Sequence, residues 1–498
     1  MTRLKLPLVC LLTLTIGCLL SGCMARDAWK HRDRVSTPES PSETYKGDSP
    51  RSPRVAPRVM PDVEAGPLSL AECIHVAMHN SPRARISWQN TRAARARVGQ
   101  NWGRMLPQLN FTASARRVKY QVLTEVEAAY QRTTYEANFG VRQLLYDGGQ
   151  TAARTSAAEA ALRSADFQHN RTLQDVALQT ERAYYELLTA NAILEVAKDA
   201  VEQRQRHTEL AQRKLEAGRG RKVEVLKARA RKAEAELGLV EARNQVRTGR
   251  GRLARSMGLK PSVEVQILDI PIELQDEEME DVDNLLVQAA DNRPQLKAAA
   301  EEVQRWKSLL AAEEGARLPT LNANASYGWN DLHILPEEKE EWSASLNLEW
   351  KLFTGFQRAY SIRQARARLQ RAIRGYEKSL RDVELEVWTA YSRVIRSRES
   401  IRAAERYVES ARETQRVAER GYEGGRATIV ELIDAQTELT RSRAQLVRAR
   451  LQWYSSIARL ERAVGKLLSG DSDAVSARLT GETDTPQVSE RQESAEGG

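Results

Sequence analysis

The chain has 498 residues, of which 6% are aromatic and 29% charged, with a formal net charge of +9 and a mean hydropathy of −0.56. So few aromatics argue against a thick globular core and suit long helices. The basic excess is interleaved with Glu rather than clustered, which reads as a solvated helix surface and speaks against a nucleic-acid partner.

The first residues address the compartment. Arg3 and Lys5 precede an apolar run from Leu6 to Leu20, followed by Ser21-Gly22-Cys23. That run is too short for a mature membrane-spanning helix and has the layout of a secretory signal over residues 1–22. The small residues before Cys23 resemble a bacterial lipobox, which implies cleavage before Cys23 and acylation of its thiol and new amino end. Met24 stands where an Asp would suggest inner-membrane retention, so the outer membrane is favoured. Cys10 and Cys18 leave with the signal and Cys23 carries lipid. Cys73 is then alone, and no intrachain disulfide is expected. Residues 23–67 form an acylated N-terminus and linker: seven of the sixteen prolines lie between 24 and 67, without an apolar period.

The rest of the chain says one thing twice. Asn80-Ser81-Pro82 returns as Asn292-Arg293-Pro294, and Leu106-Pro107-Gln108-Leu109 as Leu318-Pro319-Thr320-Leu321. Leu145-Tyr146-Asp147-Gly148-Gly149 returns as Leu352-Phe353-Thr354-Gly355-Phe356, and Glu216-Ala217-Gly218-Arg219 as Glu423-Gly424-Gly425-Arg426. A period this long is a duplicated half-protein, not a solenoid unit. Residues 68–260 form the first copy, 261–282 a connection, 283–469 the second copy and 470–498 a disordered polar tail.

Each copy opens with a short helix (about 69–79 and 283–291) ended by the Asn-x-Pro turn, since proline disfavours helical geometry in the residue before it. A helix of about 22 residues follows (83–104 and 295–316). Period-2 alternation then marks a β-hairpin in each copy, about 108–143 and 320–351. Leu321, Ala323, Ala325, Tyr327 and Trp329 alternate with Asn322, Asn324, Ser326, Gly328 and Asn330, and Trp342, Ala344, Leu346 and Leu348 with Ser343, Ser345, Asn347 and Glu349. In the first copy Leu109, Phe111 and Ala113 alternate with Asn110, Thr112 and Ser114, and Tyr135, Ala137, Phe139 and Val141 with Glu136, Asn138, Gly140 and Arg142. Strands of about ten residues with one apolar and one wet face suit a tilted membrane-spanning strand.

After each hairpin the period becomes 3.5. Val383, Val387, Ala390, Val394, Ser397, Ile401, Ala404, Val408, Ala411, Gln415, Ala418 and Tyr422 form one seam; Val176, Thr180, Ala183, Leu187, Ala190, Leu194, Ala197, Val201, Arg204, Thr208, Ala211 and Leu215 match it. A sustained 3.5 period specifies a left-handed coiled-coil seam. The helices span about 152–217 and 358–423, each about 100 Å long at 1.5 Å per residue. They stop at glycine turns: Gly218 and Gly220 in a tip at about 217–222, Gly424 and Gly425 in a tip at about 423–428. Glycine tolerates the left-handed conformation that ends a helix. Return helices follow (about 222–258 and 428–466).

Four spanning strands cannot close, and an open edge in lipid leaves backbone groups unpaired at several kcal/mol each. Oligomerisation into a shared barrel is therefore expected, and the polar inward set favours a wet lumen and three or more copies.

These features together resemble the TolC-like outer membrane efflux proteins, in their lipoprotein branch. The resemblance covers about 68–468 and rests on the duplication, the ordered turns, the Leu-Phe-Thr-Gly start of the second long helix and the tip run from Gly421 to Gln436. It implies a mixed α and transmembrane β fold, with four strands per chain contributing to a 12-stranded trimeric β-barrel above a long α-helical coiled-coil barrel. It implies a homotrimer in the Gram-negative outer membrane, docked at its helix tips to a periplasmic adaptor protein and an inner-membrane pump of RND or ABC type.

The same resemblance supplies site residues. Glu431 and Asp434 take the acidic-ring positions of the periplasmic aperture, and a spacing of three puts both on one helix face; an ordinary solvated face is the plain alternative. Tyr422 matches the latch tyrosine and Glu224 the acidic position meeting it. The latch arginine falls on Ala427, with Arg426 one residue earlier. No enzyme is implied: no catalytic constellation, ATP-binding motif, metal site or cofactor is expected beyond the lipid on Cys23. His75 and His79 near Cys73 lack the acidic residue of a zinc-hydrolase motif. Gly218-x-Gly220 follows a helix rather than a strand and is no phosphate loop. The implied function is the passive outer-membrane duct of a tripartite efflux system. A type I protein-secretion outlet shares the fold, and a periplasmic scaffold lipoprotein is a third reading, against which the alternating strands argue.

Overall fold

A computed structural model describes residues 66–122, 128–269, 280–332 and 339–466, all within one unit, Arg58–Gly498. The signal segment, Cys23, nearly all of the proline-rich stretch and the polar tail lie outside the described residues.

The first run of elements is α1 (Leu70–Asn80), α2 (Pro82–Gly103), β1 (Gln108–Val122), β2 (Ala128–Tyr146), α3 (Gln150–Glu216) and α4 (Lys222–Ser256). The second is α5 (Val282–Asn292), α6 (Pro294–Gly315), β3 (Thr320–Leu332), β4 (Lys339–Glu349), α7 (Gln357–Glu423) and α8 (Ile429–Val464). Local chemistry sets the boundaries. Ser69 and Glu72 form a capping box at the start of α1, and Pro82 and Pro294 sit in the first turn of α2 and α6, where a missing N–H costs nothing.

The strands form one antiparallel sheet in the order β1-β2-β3-β4. Its register puts Leu109, Val141, Ala325 and Ala344 in one row and Phe111, Phe139, Tyr327 and Trp342 in the next. The Phe111 and Phe139 rings lie 4.8 Å apart, and Trp342, Leu346 and Leu348 of β4 are among the most exposed apolar side chains. Asn110, Gly140, Ser326 and Ser343 make the corresponding row on the other face, where the Ser326 and Ser343 hydroxyls meet at 2.8 Å. Strands of about ten residues are corrected for the first copy: β1 has 15 residues and β2 has 19. The backbone ladder runs on through Arg116, Arg117 and Lys119, because pairing needs only N–H and C=O groups and does not stop where apolar alternation stops.

α3 and α7 are each 67 residues long. The seam of α7 is buried from Val383 to Ala411 and again at Tyr422; that of α3 is buried at Val176, Thr180, Ala183, Leu187 and Ala190, and at Arg204 and Ala211. Near the sheet α3 packs on α2 and α6, with Ser164 donating to the Ala298 carbonyl at 3.1 Å. Farther down it packs on α4 and α8. No helix among the described residues is long and apolar enough to cross a membrane; on the sheet, Leu109, Phe111, Trp342 and Leu346 are exposed.

At the waist, α1 and the segment 263–268 cover one face of α3. Their core joins Cys73, Val76 and Ala77 to Tyr184, Leu187, Leu253 and Met257. Cys73 is free and buried, and burial pushes its thiol up to about 12, which makes it inert. α5 seals α7 and α8 through Leu285, Val387, Ala463 and Val464. There Arg293, at the α5–α6 turn, is 2% exposed. It donates to the Arg462 carbonyl at 2.7 Å and pairs with Glu386. Arg462 in turn pairs with Glu386 and with Asp175 at 2.6 Å. One ion network thus ties the turn to α3, α7 and α8.

Candidate functional site

The end of each helical hairpin farthest from the sheet is built by glycine. Gly218 and Gly425 take left-handed φ values of +72° and +73°. Gly220 and Gly424 do not. Gly220 is needed for space, because a Cβ there would lie 2.8 Å from the Leu215 amide nitrogen. Gly424 caps α7 with φ −79°.

The turns bring residues of both copies together. Tyr422, Ile429, Leu432 and Ile433 form a small core with Leu210 of α3. Tyr422 is 4% exposed, and its hydroxyl is buried without a hydrogen-bond partner. Burial raises that hydroxyl's pKa, and the charge of Glu224 raises it further. The carboxylate of Glu224 pairs with Arg221 at 3.1 Å. Arg426 is exposed, and its amide donates to the Gly421 carbonyl at 2.7 Å. Ala427 lies under the turn, close to Gly421.

Glu431 and Asp434 share the exposed face of α8, opposite buried Leu432 and Ile433. Glu431 also has a local task. Its carboxylate accepts from the Thr428 amide at 2.9 Å, and its own amide donates to the Thr428 hydroxyl at 3.3 Å, so it closes the capping box that starts α8. The charge of Asp434 reaches Arg204 and Arg231.

Sequence reasoning missed two features here. The ammonium of Lys214, at the end of α3, sits 3.8 Å above the centre of the Tyr422 ring and donates to the Tyr422 carbonyl. A cation on an aromatic face and on the C-terminal carbonyls of a helix is favoured twice. Deeper, Arg204 enters the α3 seam at 8% exposure, donating to the Ile433 carbonyl at 3.3 Å and to Thr437 at 2.8 Å. His207, at 3.0 Å from Gln436 Oε1, extends the polar contact. Burial pushes the His207 pKa down, against the opposing hydrogen bond to Gln436. Arg204 was legible as the one charged residue of the α3 seam, though its contacts were not; Lys214 looked like any solvated charge.

Comparison with known proteins places this architecture. The model of the family described as "Outer membrane efflux protein" matches residues 73–259 and 285–466, most of the chain. Protein CyaE of Bordetella pertussis is 28% identical over 88% of this chain and 91% of its own length. Outer membrane protein TolC of Vibrio cholerae is 26% identical over 82% of this chain and 94% of its own. Alkaline protease secretion protein AprF of Pseudomonas aeruginosa is 23% identical over 84% and 89%. Among solved structures, the outer-membrane channel OprN superposes with a TM-score of 0.71 at 20% identity, covering 80% of this chain and 89% of that one. The chain belongs to the outer membrane efflux protein family.

Proposed function

We propose that this chain is the outer-membrane duct of a tripartite efflux system, a passive exit path opened at its helix tips by a periplasmic adaptor and an inner-membrane pump of RND or ABC type. The observation that carries the reading is the sheet. It has an apolar face, a wet face and two unpaired edges, β1 and β4. In lipid each unpaired backbone group costs several kcal/mol, so copies pool their strands. Three copies supply twelve and leave a lumen. The acylated Cys23 anchors the assembly to the outer membrane.

In this reading Glu431 and Asp434 crowd negative charge at the aperture, and Tyr422, Glu224 and Arg426 hold the tips, with Arg426 standing one residue before the position of the family's arginine. The test is bilayer conductance of purified protein carrying Glu431→Gln and Asp434→Asn. Loss of cation preference is expected, and an unchanged ion preference removes both residues from the aperture. Similarity to the alkaline protease secretion protein AprF supports a second reading, an outlet for protein secretion. Deleting the gene decides between the two: sensitivity to dyes and antibiotics rises for efflux, whereas loss of one exported protein with unaltered sensitivity indicates secretion. A lone subunit without β signal in circular dichroism would leave only the scaffold reading.

A further inference from the structure

Three arginines from three neighbouring helices stand at one level of the helical wall. The rungs around them fix that level. On the sheet side, Arg462 of α8 bridges Asp175 of α3 and Glu386 of α7. On the tip side, Tyr185 of α3 stacks on Tyr454 of α8 at 5.6 Å, and Ser397 of α7 meets Ser456 of α8 at 2.9 Å. Arg182, Arg459 and Arg393 fall between those rungs on α3, α8 and α7.

Spacing fixes the face. Arg182 lies seven residues past Asp175, Arg393 seven past Glu386, and Arg459 three before Arg462. Steps of three and seven return to the same side of a helix, so all three look the way the bridge looks. That side is turned from α1. The hydroxyl of Tyr184 donates to the Leu268 carbonyl in the segment beside α1 at 2.8 Å, and Arg182, two residues earlier, points about 200° away from it.

Charge balance changes between the two levels. Arg462 and Arg293 have Asp175 and Glu386 as counter-ions. One turn or two farther along, Arg182, Arg393 and Arg459 form no ion pair among the described residues. Arg182 and Arg393 are exposed and Arg459 is half-buried. The Arg459 guanidinium is pushed below its ordinary pKa by burial and then by the charges of Arg182 and Arg393, which agrees with their closeness.

We propose that Arg182, Arg393 and Arg459 form a cationic belt on the bore side of the helical wall, which gathers anions and repels cations in transit. The belt rests on the duct reading: three copies would set nine guanidinium groups around one level, and a narrow low-dielectric bore focuses their field. Along α8, Arg459 is 28 residues from Glu431, about 40 Å at 1.5 Å per residue. That is several times a Debye length of about 8 Å, so the belt and the acidic tips act as separate filters in series.

The test uses the full protein in planar bilayers under a KCl gradient, comparing wild type with an Arg182→Gln/Arg393→Gln/Arg459→Gln variant. The chloride-to-potassium permeability ratio is expected to fall by about twofold or more in the variant. An unchanged ratio in a variant with wild-type helical content overturns the belt. The Arg182→Gln/Arg393→Gln variant alters only exposed side chains and should give part of the shift without loss of fold. If wild-type protein forms no pores, the duct reading falls and the bore-side role with it, and inorganic phosphate then decides whether the three arginines form an anion-gathering cluster. Thermal stabilisation by phosphate in wild type but not in the triple variant supports it; an equal response in both overturns it.

Discussion

Glu181 is the residue on which pH acts most directly. It is 5% exposed and accepts from the Tyr185 hydroxyl at 3.1 Å, while its second oxygen is buried without a partner. Burial, and then the charge of Glu461, raise its pKa to about 8, against the opposing Tyr185 bond. The folded chain thus keeps a proton that the unfolded chain releases above its ordinary value of 4.5. Stability is full below that value, falls as pH rises toward 8 and levels off beyond, by an amount on the order of a few kcal/mol. Glu181→Gln keeps the shape and the acceptor for Tyr185 but cannot ionise. Melting curves at pH 5, 7 and 9 should show wild type losing stability and the variant losing much less. Parallel losses would mean that Glu181 does not titrate in this range.

At the scale of elements, the long helices were readable because a 3.5-residue apolar period over many heptads admits one explanation. The strands were readable as strands but not in length, since the apolar alternation of β1 breaks at Arg116-Arg117 and resumes out of phase at Val118, Tyr120 and Val122. Phe356 was unreadable in another way. It takes φ +64° where the first copy has Gly149, a conformation that disfavours a bulky residue. The arginine of the Asn292-Arg293-Pro294 turn gave no hint of its partners either, which lie 93 and 169 positions away in Glu386 and Arg462. Sequence periodicity reports neighbours on one element, whereas Arg293 acts between elements. Its loss should show in the wall as a whole. Arg293→Ala removes the donor to the α8 end but leaves Glu386 paired with Arg462, so the cost should be about 2–3 kcal/mol, below that of a fully orphaned buried charge. Denaturation followed by circular dichroism measures it; a change within about 0.5 kcal/mol, typical of a surface site, would remove Arg293 from the clamp.

For the whole molecule, the decisive question is which face of the sheet meets lipid in the proposed assembly, because the proposal turns an open four-stranded ribbon into a shared barrel with a wet interior. The register makes the question sharp. Ala344 and Ser345 are neighbours at the middle of β4, yet Ala344 belongs to the row of Val141 and Ala325, and Ser345 to the row of Arg142 and Asn324. Depth, strand and flanking pairs are nearly identical, so only the face differs. A lysine on the lipid side near the bilayer midplane costs about 2–4 kcal/mol, whereas on a wet lumen side it is solvated. Ala344→Lys should therefore impair insertion and lower the yield of assembled protein in the outer membrane fraction. Ser345→Lys should assemble normally and change only conductance. Because a shared barrel closes only if every copy inserts with the same face outward, the Ala344 defect should act in every subunit and reduce the oligomer more than it reduces the unassembled chain. Equal damage from both lysines would mean that both faces are packed against protein, and a barrel shared among copies could not then have a water-filled interior.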